Sequence, residues 1–383
     1  MNSEDIKTII KTATEPVVFN NLLKWQLLDW DISKWKECLG NTKLQFRLGS
    51  KKYSKEPQWE KTCEIVKGTF EDFLNFNEEN KWLYFDYKYL NQWFIDKFDL
   101  RNEISWENYG YSDMKAEDST IWIGSEGAHT PCHVDTYGFN LVAQLTGRKL
   151  WLLFPPNTDL KPTRIPYEES TVYSSINFYC PSETMNDYLS NTNCKKIILE
   201  PGQVLFVPNG WWHYVENLEL SISINTWIPI DKDHKKRIFE AITLSMVKSL
   251  TSCLKNDEQD VLINNAQDLR ELSTFDTLNL IESAITSCKS GKPELNTTDT
   301  TYPNNKATTI EHSNYVQSLS NLNGEQLHTF LKQQTSRFSD NESTEEKNSI
   351  KNKPNVSLVK KYLSVLTDPE VIELIERKLT CTS

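Results

Sequence analysis

The chain has 383 residues, enough for one large domain with an appendage or for two ordinary domains. Its formal net charge of −11 argues against a broad nucleic-acid surface, which needs a basic footprint. No run approaches the roughly 18–20 apolar residues that span a bilayer, so no membrane segment is expected. The opening Met1-Asn2-Ser3-Glu4-Asp5 carries acids where a secretory leader carries bases. The eight cysteines are scattered without a CxxC pair, which fits neither a disulfide framework nor a zinc knuckle. A cytoplasmic protein, with nuclear presence left open, is the expectation.

Residues 1–117 mix helical and extended segments rich in aromatics, with Trp82-Leu83-Tyr84-Phe85-Asp86-Tyr87 as the densest run. We expect this zone to be an α/β lead-in, and its aromatics to be core rather than a stacking platform. Residues 118–230 read as β-rich. Strands are expected at 120–123, 141–145 and 149–154, the last stopped by Pro155-Pro156. Further strands are expected at 196–199, 204–207 and 220–227, with Glu200-Pro201-Gly202-Gln203 as a turn. Short strands at this spacing suggest a sandwich or a barrel.

The pattern changes after Pro229. Ile238, Ile242, Met246 and Leu250 fall at helical spacing within an expected helix over 231–254, and a second helical stretch is expected over 260–288. That apolar stripe can pack on the chain's own barrel or on a second copy, so the oligomeric state stays open. Residues 290–353, rich in Asn, Thr, Ser and Lys, read as a largely disordered low-complexity linker, with a short amphipathic helix over 319–330. A final helix is expected within 354–383.

The residues richest in chemistry are His133, Asp135 and the distant His213. Two imidazoles and a carboxylate can hold a ferrous ion on one face and leave the opposite face open. Imidazole and carboxylate resist the oxidation that would destroy a thiolate ligand. His133 and Asp135 are two apart, so on a strand they share a face. The bland alternative is three unrelated polar residues, and a hydrolytic zinc site also uses His and Asp.

The surroundings of the triad narrow these options. Thr130-Pro131-Cys132-His133-Val134-Asp135, Asn140, Gln144-Leu145-Thr146-Gly147-Arg148-Lys149 and Phe154-Pro155-Pro156 resemble the first half of a JmjC domain. Pro201-Gly202-Gln203-Val204-Leu205-Phe206-Val207-Pro208, Trp211-Trp212-His213 and Ser223-Ile224-Asn225-Thr226-Trp227 resemble its second half. The likeness extends through Trp122-Ile123-Gly124-Ser125 and Pro162-Thr163-Arg164-Ile165-Pro166 to a branch of that family associated with a small heat-shock protein.

The resemblance implies a mainly β fold, a cupin-like double-stranded β-helix (a jelly roll) at 118–230. An N-terminal α/β region and a C-terminal helical region (231–289 and beyond) would flank it. It also implies Fe(II), held by His133, Asp135 and His213, with 2-oxoglutarate as co-substrate. Lys149 would hold the far carboxylate of the co-substrate, Thr130 would add a hydroxyl, and Asn140 and Asn225 would lie beside it. An ordinary basic pair at a strand start is the plain reading of Arg148-Lys149, and buried amides bonded to backbone are that of the two asparagines.

Trp211 and Trp212 read as apolar packing around His213, while strand alternation turns His129 away from Thr130 and Cys132 away from His133. Protein hydroxylation is the activity expected first; histone demethylation and tRNA-base hydroxylation are the lesser options. A non-catalytic or dual role in binding a small heat-shock protein under stress is the competing one.

Overall fold

A computed structural model describes residues 1–60, 63–264, 266–290, 314–338 and 353–381. The lead-in zone supplies β1 (Val17–Phe19), β2 (Leu44–Ser50), β3 (Glu64–Gly68), β4 (Lys81–Tyr89), β5 (Ser105–Trp106) and β6 (Tyr111–Lys115). Next come β7 (Ser119–Gly124), β8 (His129–Asp135), β9 (Phe139–Thr146), β10 (Lys149–Phe154), β11 (Pro162–Glu168) and β12 (Thr171–Ser174). They are followed by β13 (Cys194–Leu199), β14 (Val204–Val207), β15 (Trp212–Asn217) and β16 (Ser221–Ile228). Two short strands, β17 (Val316–Ser318) and β18 (Ser320–Leu322), arrive from far along the chain.

These strands build a nine-stranded sheet in the order β17-β1-β14-β9-β16-β7-β4-β2-β3, and a seven-stranded sheet in the order β11-β12-β8-β15-β10-β13-β18. The two face each other as the expected cupin-like jelly roll. Period-two alternation sorts the side chains. In β16, Ile222, Ile224 and Ile228 join the large core between the nine-stranded sheet and the N-terminal zone. Ser223, Asn225 and Trp227 take the opposite face. In β10, Leu150, Leu152 and Phe154 face an outer cluster, whereas Trp151 and Leu153 join Val18, Val142, Leu205 and Val215 between the sheets. The β9–β10 turn depends on Gly147 at φ +64°, because a Cβ there would sit 1.9 Å from the Leu220 carbonyl oxygen.

Four expectations are corrected. The expected linker lies outside the described residues at 291–313 and 339–352, but its middle is folded. There the predicted helix over 319–330 gives way to β17, β18 and a helix over Gly324–Ser336. β17 pairs with β1 and β18 with β13, so this segment bridges the edges of both sheets, and Leu319 between them plugs the barrel interior. Asn323 and Gln326 form the capping box that starts the helix only after the plug.

The stretch read as one helix over 260–288 holds separate helices at Ala266–Glu271 and Thr274–Ser290, because Ser273 and Asp276 exchange capping hydrogen bonds. The last helix is also two, Pro354–Leu366 and Pro369–Cys381. Pro369 lacks the N–H that would continue the first, and Asp368 caps the second.

The apolar stripe on the helix Asp233–Thr251, whose partner the sequence leaves open, is covered by the chain itself. Ile238 and Ile242 pack with Ile281, Ile285 and Ile372, and Leu244 and Val247 pack with Ile165, Tyr167 and Leu363. Among the described residues, no helix is long and apolar enough to cross a membrane.

The bridging segment is anchored by charge as well as by apolar contact. Arg337 reaches Glu216, a 2% exposed carboxylate on β15, through Nη1 at 2.5 Å and Nη2 at 3.3 Å. Removing one partner of a fully buried pair costs about 3–5 kcal/mol. The Arg337 side chain is 37% exposed, so Arg337→Met should cost about 2 kcal/mol. Urea unfolding measures this; a loss under about 0.5 kcal/mol would show that Glu216 does not depend on the arginine.

Candidate metal centre

The triad assembles because β8 and β15 are antiparallel neighbours with His213 directly opposite His133. The ligand atoms of His133, Asp135 and His213 all lie within 4.8 Å of one another. Both imidazoles are oriented by their own backbone. Nδ1 of His133 is 2.9 Å from the Pro131 carbonyl oxygen, and Nδ1 of His213 is 3.1 Å from that of Trp211. A carbonyl only accepts, so each Nδ1 carries the proton and each Nε2 lone pair is left for a cation. Those Nε2 atoms do converge on Asp135, at 3.5 Å from Oδ1 for His133 and 3.8 Å from Oδ2 for His213.

Charge follows geometry. Burial opposes ionisation of Asp135, but the charge of His213 and the hydrogen bond of His133 outweigh it and hold the carboxyl below its usual range. Burial, with the charge of His133, pushes His213 down to about 4. Burial would lower His133 too; its hydrogen bond to Asp135 reverses the sign and raises it. Two nitrogen donors and one anionic oxygen on a common face fit a divalent ion with open positions.

A small cavity of about 40 Å³ adjoins the triad. Thr130, Asn140, Lys149 and Asn225 all line it, as does Tyr84. Thr130 and His133 are three apart and would face opposite ways on a regular strand. The register slips between these two positions, with one extra residue on β8, so both turn inward.

Lys149 is 2% exposed, and its Nζ donates to Ser223 Oγ at 2.8 Å and to the Tyr84 hydroxyl at 3.4 Å. Tyr84 is in turn hydrogen-bonded to Thr130. Among the described residues no carboxylate lies within ion-pair distance of Lys149.

The asparagines divide their work. Asn225 Oδ1 accepts from Trp122 Nε1 at 2.7 Å and from the Thr120 hydroxyl, and its Nδ2 donates to Asn140 Oδ1 at 2.8 Å. Asn225 is thus committed to protein partners and fixes the amide of Asn140 against the cavity.

Trp211 and Trp212 are both buried, on opposite faces of the seven-stranded sheet. His129 stacks on Tyr179 at 4.0 Å, and Cys132 joins the outer cluster, so neither lines the cavity.

Sequence reading missed three contributors. Tyr84 belongs to an aromatic run that reads as core, yet alternation turns Leu83 and Phe85 outward and Tyr84 inward. Ser223 and Trp227 belong to a quoted motif, but only the cross-strand register shows what they touch. Trp227 Nε1 donates to Asp135 Oδ2 at 2.9 Å.

Burial pushes the Lys149 ammonium down to about 7, with Asp86 opposing, against roughly 10.4 in an unfolded chain. Below about pH 7 both states carry the proton, and the folded chain bears the full cost of the buried charge. As pH rises from there towards 10, the unfolded chain alone holds the proton, so stability rises. Lys149→Met should therefore stabilise the ligand-free chain by about 1–3 kcal/mol near pH 6, the loss of the Ser223 contact offsetting part of the gain. The gap should close towards about pH 10. Chemical unfolding of both proteins across that range tests this, and a gap that does not change with pH would refute the buried-charge account.

Comparison with known proteins shows the family. A model of the cupin-like domain matches residues 4–233. HSPB1-associated protein 1 of Homo sapiens is 42% identical over 265 residues, covering 64% of this chain and 54% of that protein. The Bos taurus protein of that name is 40% identical over 288 residues, covering 70% of this chain and 59% of its own length. A more distant relative, lysine-specific demethylase JMJ30 of Arabidopsis thaliana, is 29% identical over 230 residues, with 55% and 49% covered. The chain thus spans a little over half the length of the nearer curated relatives named here. It belongs to the cupin-like family, with a domain of the JmjC type.

Proposed function

We propose that this chain is an Fe(II)- and 2-oxoglutarate-dependent dioxygenase that hydroxylates a protein side chain. The observation that carries the reading is Lys149, a buried amine with hydroxyl partners and, among the described residues, no carboxylate within ion-pair distance, on the wall of a cavity that His133 and His213 also line. A buried cation of this kind is stabilised by an arriving carboxylate. When bound, iron with 2-oxoglutarate and dioxygen supplies oxidative decarboxylation coupled to C–H hydroxylation.

The chain's own residues bind, orient and shield. His133 and His213 present Nε2, and Asp135 presents an anionic oxygen. Together they leave one positive charge of a divalent ion to attract the near carboxylate of the co-substrate. Lys149 takes the far carboxylate, with the Tyr84 and Thr130 hydroxyls beside it. Asn140, held by Asn225, offers an amide along the wall. Trp151, Val142 and Val215 line the same cavity with apolar surface, which strengthens these contacts by excluding water.

Two relatives are named lysine-specific and arginine-specific demethylases, names that fit this chemistry because hydroxylating an N-methyl carbon gives a product that loses formaldehyde. The intact set of polar residues favours an active enzyme over a degenerate one.

A second reading rests on the relatives' name. HSPB1 is a small heat-shock protein, and association with such a protein in the cytoplasm under stress is compatible with catalysis.

The test is succinate formation from 2-oxoglutarate with iron and a library of protein-derived peptides. His133→Ala and Lys149→Met should each lower turnover by about two orders of magnitude or more. Turnover that survives His133→Ala would end the catalytic reading. Binding of a small heat-shock protein that is unchanged in a turnover-dead variant would make association a separate role. Release of formaldehyde from methylated peptides would replace hydroxylase by demethylase.

A further inference from the structure

The two oxygens of Asp135 are not equivalent. Oδ2 accepts the indole N–H of Trp227 at 2.9 Å and lies 3.8 Å from His213 Nε2, whereas Oδ1 lies 3.5 Å from His133 Nε2 without an indole partner. An indole nitrogen donates one hydrogen and has no lone pair to offer. It can restrain a carboxylate oxygen without competing for a metal, as a serine, glutamine or histidine at the same place would.

The ring of Trp227 is itself held. Tyr87 packs against it with centroids 5.4 Å apart and also meets Trp122 at 6.0 Å. Tyr87 sits where β4 gains one residue over β7, at φ +54°, a backbone region that bulky L-residues rarely adopt. Such a conformation persists only where its surroundings over-determine it. Here the bulge turns a 44% exposed ring onto the indole that touches Asp135.

We propose that Trp227 is a positioning residue that confines Asp135 to one-oxygen coordination, and that Tyr87 holds the indole in place. The inference rests on reading the triad as a metal centre. Its consequence is a count of coordination positions. Carboxylates bind cations through one oxygen or two. Two histidines and one oxygen leave three of six positions open, enough for a two-point co-substrate and dioxygen. A carboxylate binding through both oxygens would leave only two, and one of the three would be lost.

Cobalt(II) is the probe, because its visible absorption bands report coordination number without turnover. The metal-free full chain is titrated with cobalt, and then the cobalt-loaded protein with 2-oxoglutarate. Trp227→Phe should shift the cobalt bands and weaken 2-oxoglutarate binding roughly 10-fold or more. Tyr87→Ala should move both in the same direction by less.

If Trp227→Phe does not fold, site-specific replacement of Trp227 by benzothienylalanine keeps the ring shape and removes only the N–H. Wild-type bands and affinity in the folded variant would overturn the proposal. His133→Ala separates the two levels. If cobalt binds wild type and His133→Ala alike, the metal reading itself fails and the inference goes with it.

Discussion

The register of β15 against β8 is the constraint on which the site depends. Pairing His213 with His133 sets the two imidazoles on one face with ring centroids 4.1 Å apart. A slip of one residue would turn His213 to the outer cluster and bring Trp212 or Tyr214 inward, because strand side chains alternate with period two. The extra residue on β8 acts within that frame. It resets the alternation between His133 and Thr130, so that one strand delivers metal-binding groups at one end and a hydroxyl at the other. Without it the Thr130 hydroxyl would lie on the far side of the sheet from Lys149.

The barrel interior is divided between two kinds of packing. Val18, Leu153, Leu199, Leu205 and Leu319 fill one part with apolar side chains. Ser223, Asn225, Asn140, Lys149 and Tyr84 occupy the other, each satisfied by a neighbour in the same set or committed to the cavity. A lysine with no carboxylate at ion-pair distance among the described residues is the part of this interior that works against folding. Most sites of this polarity would be replaced by apolar residues if stability alone decided the sequence. The hydroxyls of Ser223 and Tyr84 reduce the cost of the ammonium without neutralising it, which leaves its charge available to a ligand.

Much of this could be read from the chain. Alternating Ser223-Ile224-Asn225 identifies a half-buried strand, and Pro155-Pro156 ends another, so the strands of 118–230 are visible as local pattern. The triad is legible because its neighbours form motifs. What is not legible is pairing across distance. Tyr84 lies in an aromatic run that looks uniform until β4 is placed beside β7. Trp227 is one indole among twelve tryptophans until β16 is placed between β9 and β7, in the sheet that faces β8. Leu319 stands in a polar stretch whose composition points to disorder, and a two-strand bridge with a single apolar plug has no periodicity to detect. The helix breaks at Ser273 and Pro369 are present as residues, but the apolar spacing on either side of each runs on as one helical pattern.

The same long-range pairing explains why a segment so far along the chain belongs to the barrel. β15 carries His213 and Val215 on its inner face and Tyr214 and Glu216 on its outer one. The outer face is tied by Arg337 to the helix Gly324–Ser336, and Tyr214 donates to Glu216 at 2.8 Å. Glu216 is buried, so it cannot relax into water when its partner moves; the strand, the ion pair and the helix keep their positions together. Leu319 closes the barrel edge just ahead of that helix. The imidazole on the inner face is therefore steadied from outside by a stretch of sequence that composition alone would assign to no structure.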